Sequence, residues 1–131
     1  MATIDDSQFD KKSFAWTDLV GMSRWDSWTP VFGALTVVGA KSYFGRFRIV
    51  GRSVDFQVKF SAATSIASVA GTDYLTLPIV AQGYAGIATM TNRTTNIAVG
   101  VCHIDVTNSR CYLPTQAASG NTFLLCGSYE I

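Results

Sequence analysis

The seven residues from Val54 to Phe60 constrain the fold most strongly. Val54, Phe56, Val58 and Phe60 alternate with Asp55, Gln57 and Lys59. A period of two puts the apolar set on one face of a β-strand and the polar set on the other. The run before it, Tyr43–Val50, also reads as a strand, with Tyr43, Phe47 and Ile49 on one face and Arg46 and Arg48 on the other. Gly51-Arg52-Ser53 separates the two, so they are expected to form an antiparallel hairpin, with Gly51 permitting the tight turn.

From Trp25 onward the β pattern continues. Val31–Val38 is apolar and β-branched, and Tyr74–Leu77 is a short strand stopped by Pro78, which cannot donate to a ladder. Gly83–Thr91, Asn96–Val106, Arg110–Leu113 and Thr122–Glu130 complete the set. About eight short strands at roughly 8–12-residue spacing predict an all-β fold, an antiparallel jelly roll or β-sandwich. Ser61–Gly71 is rich in small residues and is expected to be a long loop or a loose edge strand. At 131 residues the chain is one domain's worth of sequence.

Residues 1–24 have no clean period and are set apart as an N-terminal arm preceding a β domain of residues 25–131. Phe9, Phe14, Trp16, Leu19 and Val20 make this segment too apolar for a purely disordered tail. A short helix over Phe14–Val20, capped by Ser13 and ended by Gly21, is one possibility. Residues 1–26 carry five acids and three bases, a charge of −2, and residues 27–131 carry seven bases and four acids, +3. Such a leader suits either docking onto a neighbouring copy of the body or standing solvated.

Only 15% of residues are charged while 48% are hydrophobic, so either partners cover part of the exterior or Ser, Thr, Asn and Gly clothe it. No stretch is long and apolar enough to span a membrane as a helix. The acidic start lacks the pattern of a signal peptide. Three cysteines, Cys102, Cys111 and Cys126, are not a disulfide framework and are expected as reduced, apolar fillers.

Candidate chemistry is sparse. His103 and Asp105 share a strand face, but a lone histidine with no Gly-x-Ser-x-Gly elbow offers no nucleophile. Cys102 and His103 point to opposite faces, and no Cys-x-x-Cys pair exists, so no metal or other cofactor is expected. Asn92-Arg93-Thr94 matches a glycosylation sequon by chance. Arg46, Arg48 and Arg52, with Lys59 nearby, form a basic cluster on the hairpin. Without a nucleic-acid-binding motif it reads as an ion-pairing patch at a subunit contact. Trp25 and Trp28, three residues apart, read as core or interface packing before a sugar-stacking platform.

Several short motifs together resemble the recurrent β domain of tailed-bacteriophage structural proteins. They are Trp28-Thr29-Pro30, Gly45-Arg46-Phe47, Val50-Gly51, Val54-Asp55-Phe56, Leu75-Thr76-Leu77-Pro78 and the closing Cys126-Gly127-Ser128-Tyr129. The fold-defining positions are thus Pro30, Gly45, Phe47, Gly51, Val54, Phe56, Pro78, Gly127 and Tyr129. The resemblance covers residues 25–131. It implies a jelly-roll-like domain on a virion, commonly a homotrimer, without catalytic residues. The short leader, in place of a long fibre shaft, favours a small, complete capsid decoration or cement protein that stabilises a coat lattice by binding the major capsid protein or another virion protein. A tail-tip or tail-fibre head receptor-binding protein is the alternative. The expected interface residues are Phe9, Phe14, Trp16, Leu19, Trp25, Trp28, Arg46 and Arg48, and the expected location is the virion, assembled in the host cytoplasm.

Overall fold

The computed structural model describes residues 24–83 and 86–131; the arm, its suggested helix and the interface candidates Phe9, Phe14, Trp16 and Leu19 lie outside the described residues. Among those described, the chain forms twelve strands and no helix. They are β1 (Asp26–Trp28), β2 (Phe32–Gly33), β3 (Thr36–Val38), β4 (Lys41–Val50), β5 (Ser53–Ala62), β6 (Ser65–Ser68), β7 (Tyr74–Thr76), β8 (Gly86–Asn92), β9 (Ile97–Asp105), β10 (Arg110–Tyr112), β11 (Gln116–Ser119) and β12 (Phe123–Glu130). Nine of them join in the order β1-β4-β5-β12-β8-β9-β10-β7-β2, and β11-β6-β3 form a small second sheet. Every pairing is antiparallel, and the fold is a β-sandwich.

The large sheet curls. Phe32, on the last strand of the order, packs its ring 4.8 Å from that of Tyr43 and 5.0 Å from that of Phe60, on β4 and β5 near the other end. The face enclosed by this curl is the core. Val54, Phe56, Val58 and Phe60 are all buried there, as the alternation predicts, with Met90, Phe123, Leu125 and Tyr129 beside them. The small sheet adds buried Ile66. The hairpin β4–β5 pairs in register from Lys41↔Ala62 to Val50↔Ser53, and Gly51 turns it at φ +62°.

The last strand is central. β12 inserts between β5 and β8, pairing with β5 from Phe123↔Phe60 to Glu130↔Ser53 and with β8 from Phe123↔Asn92 to Tyr129↔Gly86. Gly127 is what lets Phe56 pack beneath it. A Cβ there would lie 2.9 Å from the Phe56 ring and 2.6 Å from Ala88 Cβ.

Three expectations need correction. Val31–Val38 is two strands, not one: the chain bends at Ala34 (φ +62°), so β2 joins the large sheet and β3 the small one. Ser61–Gly71 is neither a long loop nor a loose edge strand, because β5 runs on to Ala62 and β6, the middle strand of the small sheet, buries Ile66 and Ser68. The Ser68 hydroxyl donates to the Pro114 carbonyl at 2.6 Å, which satisfies its burial. The count rises from about eight to twelve, the added elements being very short strands such as β11.

Candidate interaction surface

On the outer face of the large sheet, the register aligns side chains in rows. Phe44, Arg46 and Arg48 of β4 stand opposite Lys59, Gln57 and Asp55 of β5. These stand opposite Leu124, Cys126 and Ser128 of β12, and those opposite Thr91, Thr89 and Ile87 of β8. The strand period that buries Val54 and Phe56 therefore turns a basic and partly apolar surface outward.

One edge of this surface is organised around Trp25. The guanidinium of Arg46 lies 4.8 Å, and that of Arg48 4.7 Å, from the Trp25 ring. Both are cation–π contacts. Arg48 also pairs with Asp55 at 3.0 Å, and Arg46 Nε donates to Gln57 Oε1 at 2.8 Å. Trp25, Arg46 and Arg48 thus come together as one cluster. Trp28 does not join them. Its indole faces inward, edge-on to Phe47 at 6.5 Å and to Phe56 at 6.4 Å, and it packs on Gly45 beside Pro30. Trp28 is half-buried and packs against the core: on β1 it falls on the opposite face from Ser27, which stands opposite Arg46.

Beyond Arg46 the surface dips into a groove of about 190 Å³ lined by Phe44, Arg46, Gln57, Lys59, Arg93 and Leu124. Phe44 is 60% exposed and adds an apolar ring to the lining of the groove. Among the described residues the ion pairs are Arg48–Asp55 and Arg24–Asp26, so Arg46, Lys59 and Arg93 face the groove without a carboxylate. Sequence reasoning missed Phe44, Arg93 and Leu124. Arg93 sits some 34 residues from Lys59 in the chain, and only the insertion of β12 brings the two to one groove. Arg52 lies away in the β4–β5 turn, where its carbonyl accepts from Ile131 N–H at 2.9 Å. No protein-family model, curated protein or solved structure matches the chain.

The remaining candidates have structural roles. The Asp105 carboxylate does not orient His103; it accepts from the Asn108 amide (2.9 Å), Thr107 N–H (3.0 Å) and Asn108 N–H (3.3 Å) in its own turn. Those bonds, the Asn108 side chain first, hold it below the usual carboxylate range. His103 instead stacks on Tyr112 at 6.2 Å, over a second groove of about 460 Å³ walled by Gly71, Pro114 and Thr115. Cys102 is buried and His103 exposed, on opposite faces as expected. Cys102 and Cys111 hydrogen-bond in the core; that bond first, and then burial, push the Cys111 thiol far up. Asn92 of the sequon uses its side-chain oxygen to accept from Thr94 and Thr95 N–H, an Asx turn.

Proposed function

We propose that this chain is a non-catalytic virion structural protein of a tailed bacteriophage, a capsid decoration or cement protein that binds the coat lattice and assembles as a homo-oligomer, a trimer before a dimer. The observation that carries this reading is the outer face of β4, β5 and β12. There an exposed Phe44 and three cations without carboxylate partners among the described residues surround a groove, beside a Trp25–Arg46–Arg48 stack. Aromatic residues and arginine are what protein interfaces concentrate at their centres. The motifs that resemble phage β domains support the same reading, because they meet in space. Trp28 and Pro30 close on Gly45, Gly127 makes room for Phe56, and the Tyr129 hydroxyl donates to the Ile79 carbonyl just after Pro78 at 2.7 Å.

The His103–Tyr112 groove favours a second reading, a tail-tip or fibre-head receptor-binding protein, because flat aromatic floors suit small polar ligands. Quantitative mass spectrometry of purified particles separates the readings. A copy number comparable with that of the coat subunit supports decoration, and a handful of copies supports the tail. Recovery of the chain only in the particle-free fraction rejects both.

A further inference from the structure

We infer that the groove between Phe44, Lys59, Arg93 and Leu124 is the seat of the acidic, aromatic N-terminal segment, residues 5–20, of a neighbouring copy of this chain. The inference rests on reading the chain as an assembly module and names the contact that would join its copies.

Charge complementarity is the first argument. The groove presents Arg46, Lys59 and Arg93 without a carboxylate among the described residues. The segment carries Asp5, Asp6, Asp10 and Asp18 against Lys11 and Lys12. Apolar matching is the second. Phe44 and Leu124 give the groove an apolar floor, and the segment carries Phe9, Phe14 and Trp16 among its acids, with Asp10 next to Phe9 and Asp18 two residues after Trp16. Charges set orientation and encounter rate, and buried rings supply most of the affinity.

The direction of the chain selects a neighbour over the same copy. β1 runs antiparallel to β4, with Asp26 opposite Phe47 and Trp28 opposite Gly45. Followed backwards from Asp26, the described backbone runs through Trp25, beside Arg48, to Arg24. The apolar end of the groove, at Phe44, lies about 14 Å from Arg48 along the strand, on the far side of the Trp25–Arg46–Arg48 stack. The described chain therefore begins by heading away from its own Phe44, which favours the groove of a neighbour.

The test uses the full chain. Equal amounts of isotope-labelled and unlabelled protein are mixed and treated with a carbodiimide, which joins a lysine amine to a carboxylate with loss of water. The expected product links Lys59 of one isotope to an aspartate of residues 5–18 of the other. In parallel, sedimentation follows a double variant, Arg46→Glu with Arg93→Glu, which lies on the outer face away from the core. Self-association should weaken about tenfold or more at low salt. Pairing it with Asp5→Lys, Asp6→Lys and Asp10→Lys on the same chain should restore association, an outcome that misfolding cannot mimic. Links within one isotope only, failure of the charge swap to rescue, or a chain that stays monomeric throughout overturns the inference. Self-association through the segment in a protein absent from particles leaves the inference standing and removes the virion reading. A particle protein whose charge swap fails does the reverse.

Discussion

At the residue scale, Tyr129 shows how a single side chain ties distant segments. Its ring is buried against Phe56 at 5.8 Å, yet its hydroxyl is satisfied twice: it donates to Ile79 carbonyl at 2.7 Å and accepts from Ile79 N–H at 3.0 Å. Closing both bonds anchors the segment after Pro78 to the last strand, 50 residues away in the chain. Burial pushes the phenol from 10.0 up to about 12, outweighing the Ile79 hydrogen bond that favours the anion. The protonated form is the one the fold prefers, so Tyr129 contributes its full stability below pH 10. That contribution is lost as pH rises from 10 through 12 and amounts to on the order of 2–3 kcal/mol. Tyr129→Phe is expected to cost about 1–3 kcal/mol at pH 7, since both Ile79 groups lose their partner. It should also flatten the alkaline limb of stability between pH 10 and 12. Urea melts across that range check both; an unchanged alkaline limb in the variant means another group carries it.

At the element scale, β5 is the strand on which the sandwich is built. It pairs with β4 on one side and β12 on the other, and its inner face is wholly buried. Phe56 is 1% exposed and meets Trp28 and Tyr129 edge-on. Phe56→Ala is expected to cost about 3–5 kcal/mol, measured by chemical denaturation, because the rings around it cannot all collapse into the space. A cost below about 1 kcal/mol means that neighbours refill the site. This hairpin was legible in the sequence because a half-buried strand writes its two faces as alternation. Short strands write no such record. In β2 the pair Phe32–Gly33 is too brief to show a period, and its glycine lies where an added Cβ would meet the end of the Tyr74 ring. β11 spells Gln116-Ala117-Ala118-Ser119 and is held by pairing to β6 and by the Gln116 amide donating to Ile66 carbonyl at 2.6 Å. Of the interaction surface, Arg46 and Arg48 were visible as neighbours on one strand. Phe44, Arg93 and Leu124 were not, since their meeting depends on which strand fills the middle of the sheet. The side on which Trp28 packs was not legible either, because a strand of three residues does not reveal which of its faces is covered.

At the scale of the whole molecule, the insertion of β12 between β5 and β8 joins the two halves of the large sheet over a single core, and they are expected to unfold as one cooperative unit. The three thiols sample that unit at different depths. Cys111 is fully buried and Cys102 nearly so, and their mutual hydrogen bond together with burial keeps Cys111 protonated. Cys126 is half-buried on the outer face; burial raises its thiol, while Arg46 and Arg93 pull it back. The thiolate is the reactive form and must be reached by the reagent, so access makes Cys126 the first to react. In native buffer a small thiol reagent is expected to modify Cys126 at a rate independent of low urea. Cys102 and Cys111 should be modified together, and only as fast as the chain opens globally, with a urea dependence equal to that of complete unfolding. Mass spectrometry of partly labelled protein would then show one or three adducts and almost no molecules with two. Labelling of Cys102 and Cys111 with a urea dependence weaker than that of complete unfolding would reveal that β9 and β10 open separately from the rest of the sheet, and the sandwich would then be two units joined by β12 instead of one.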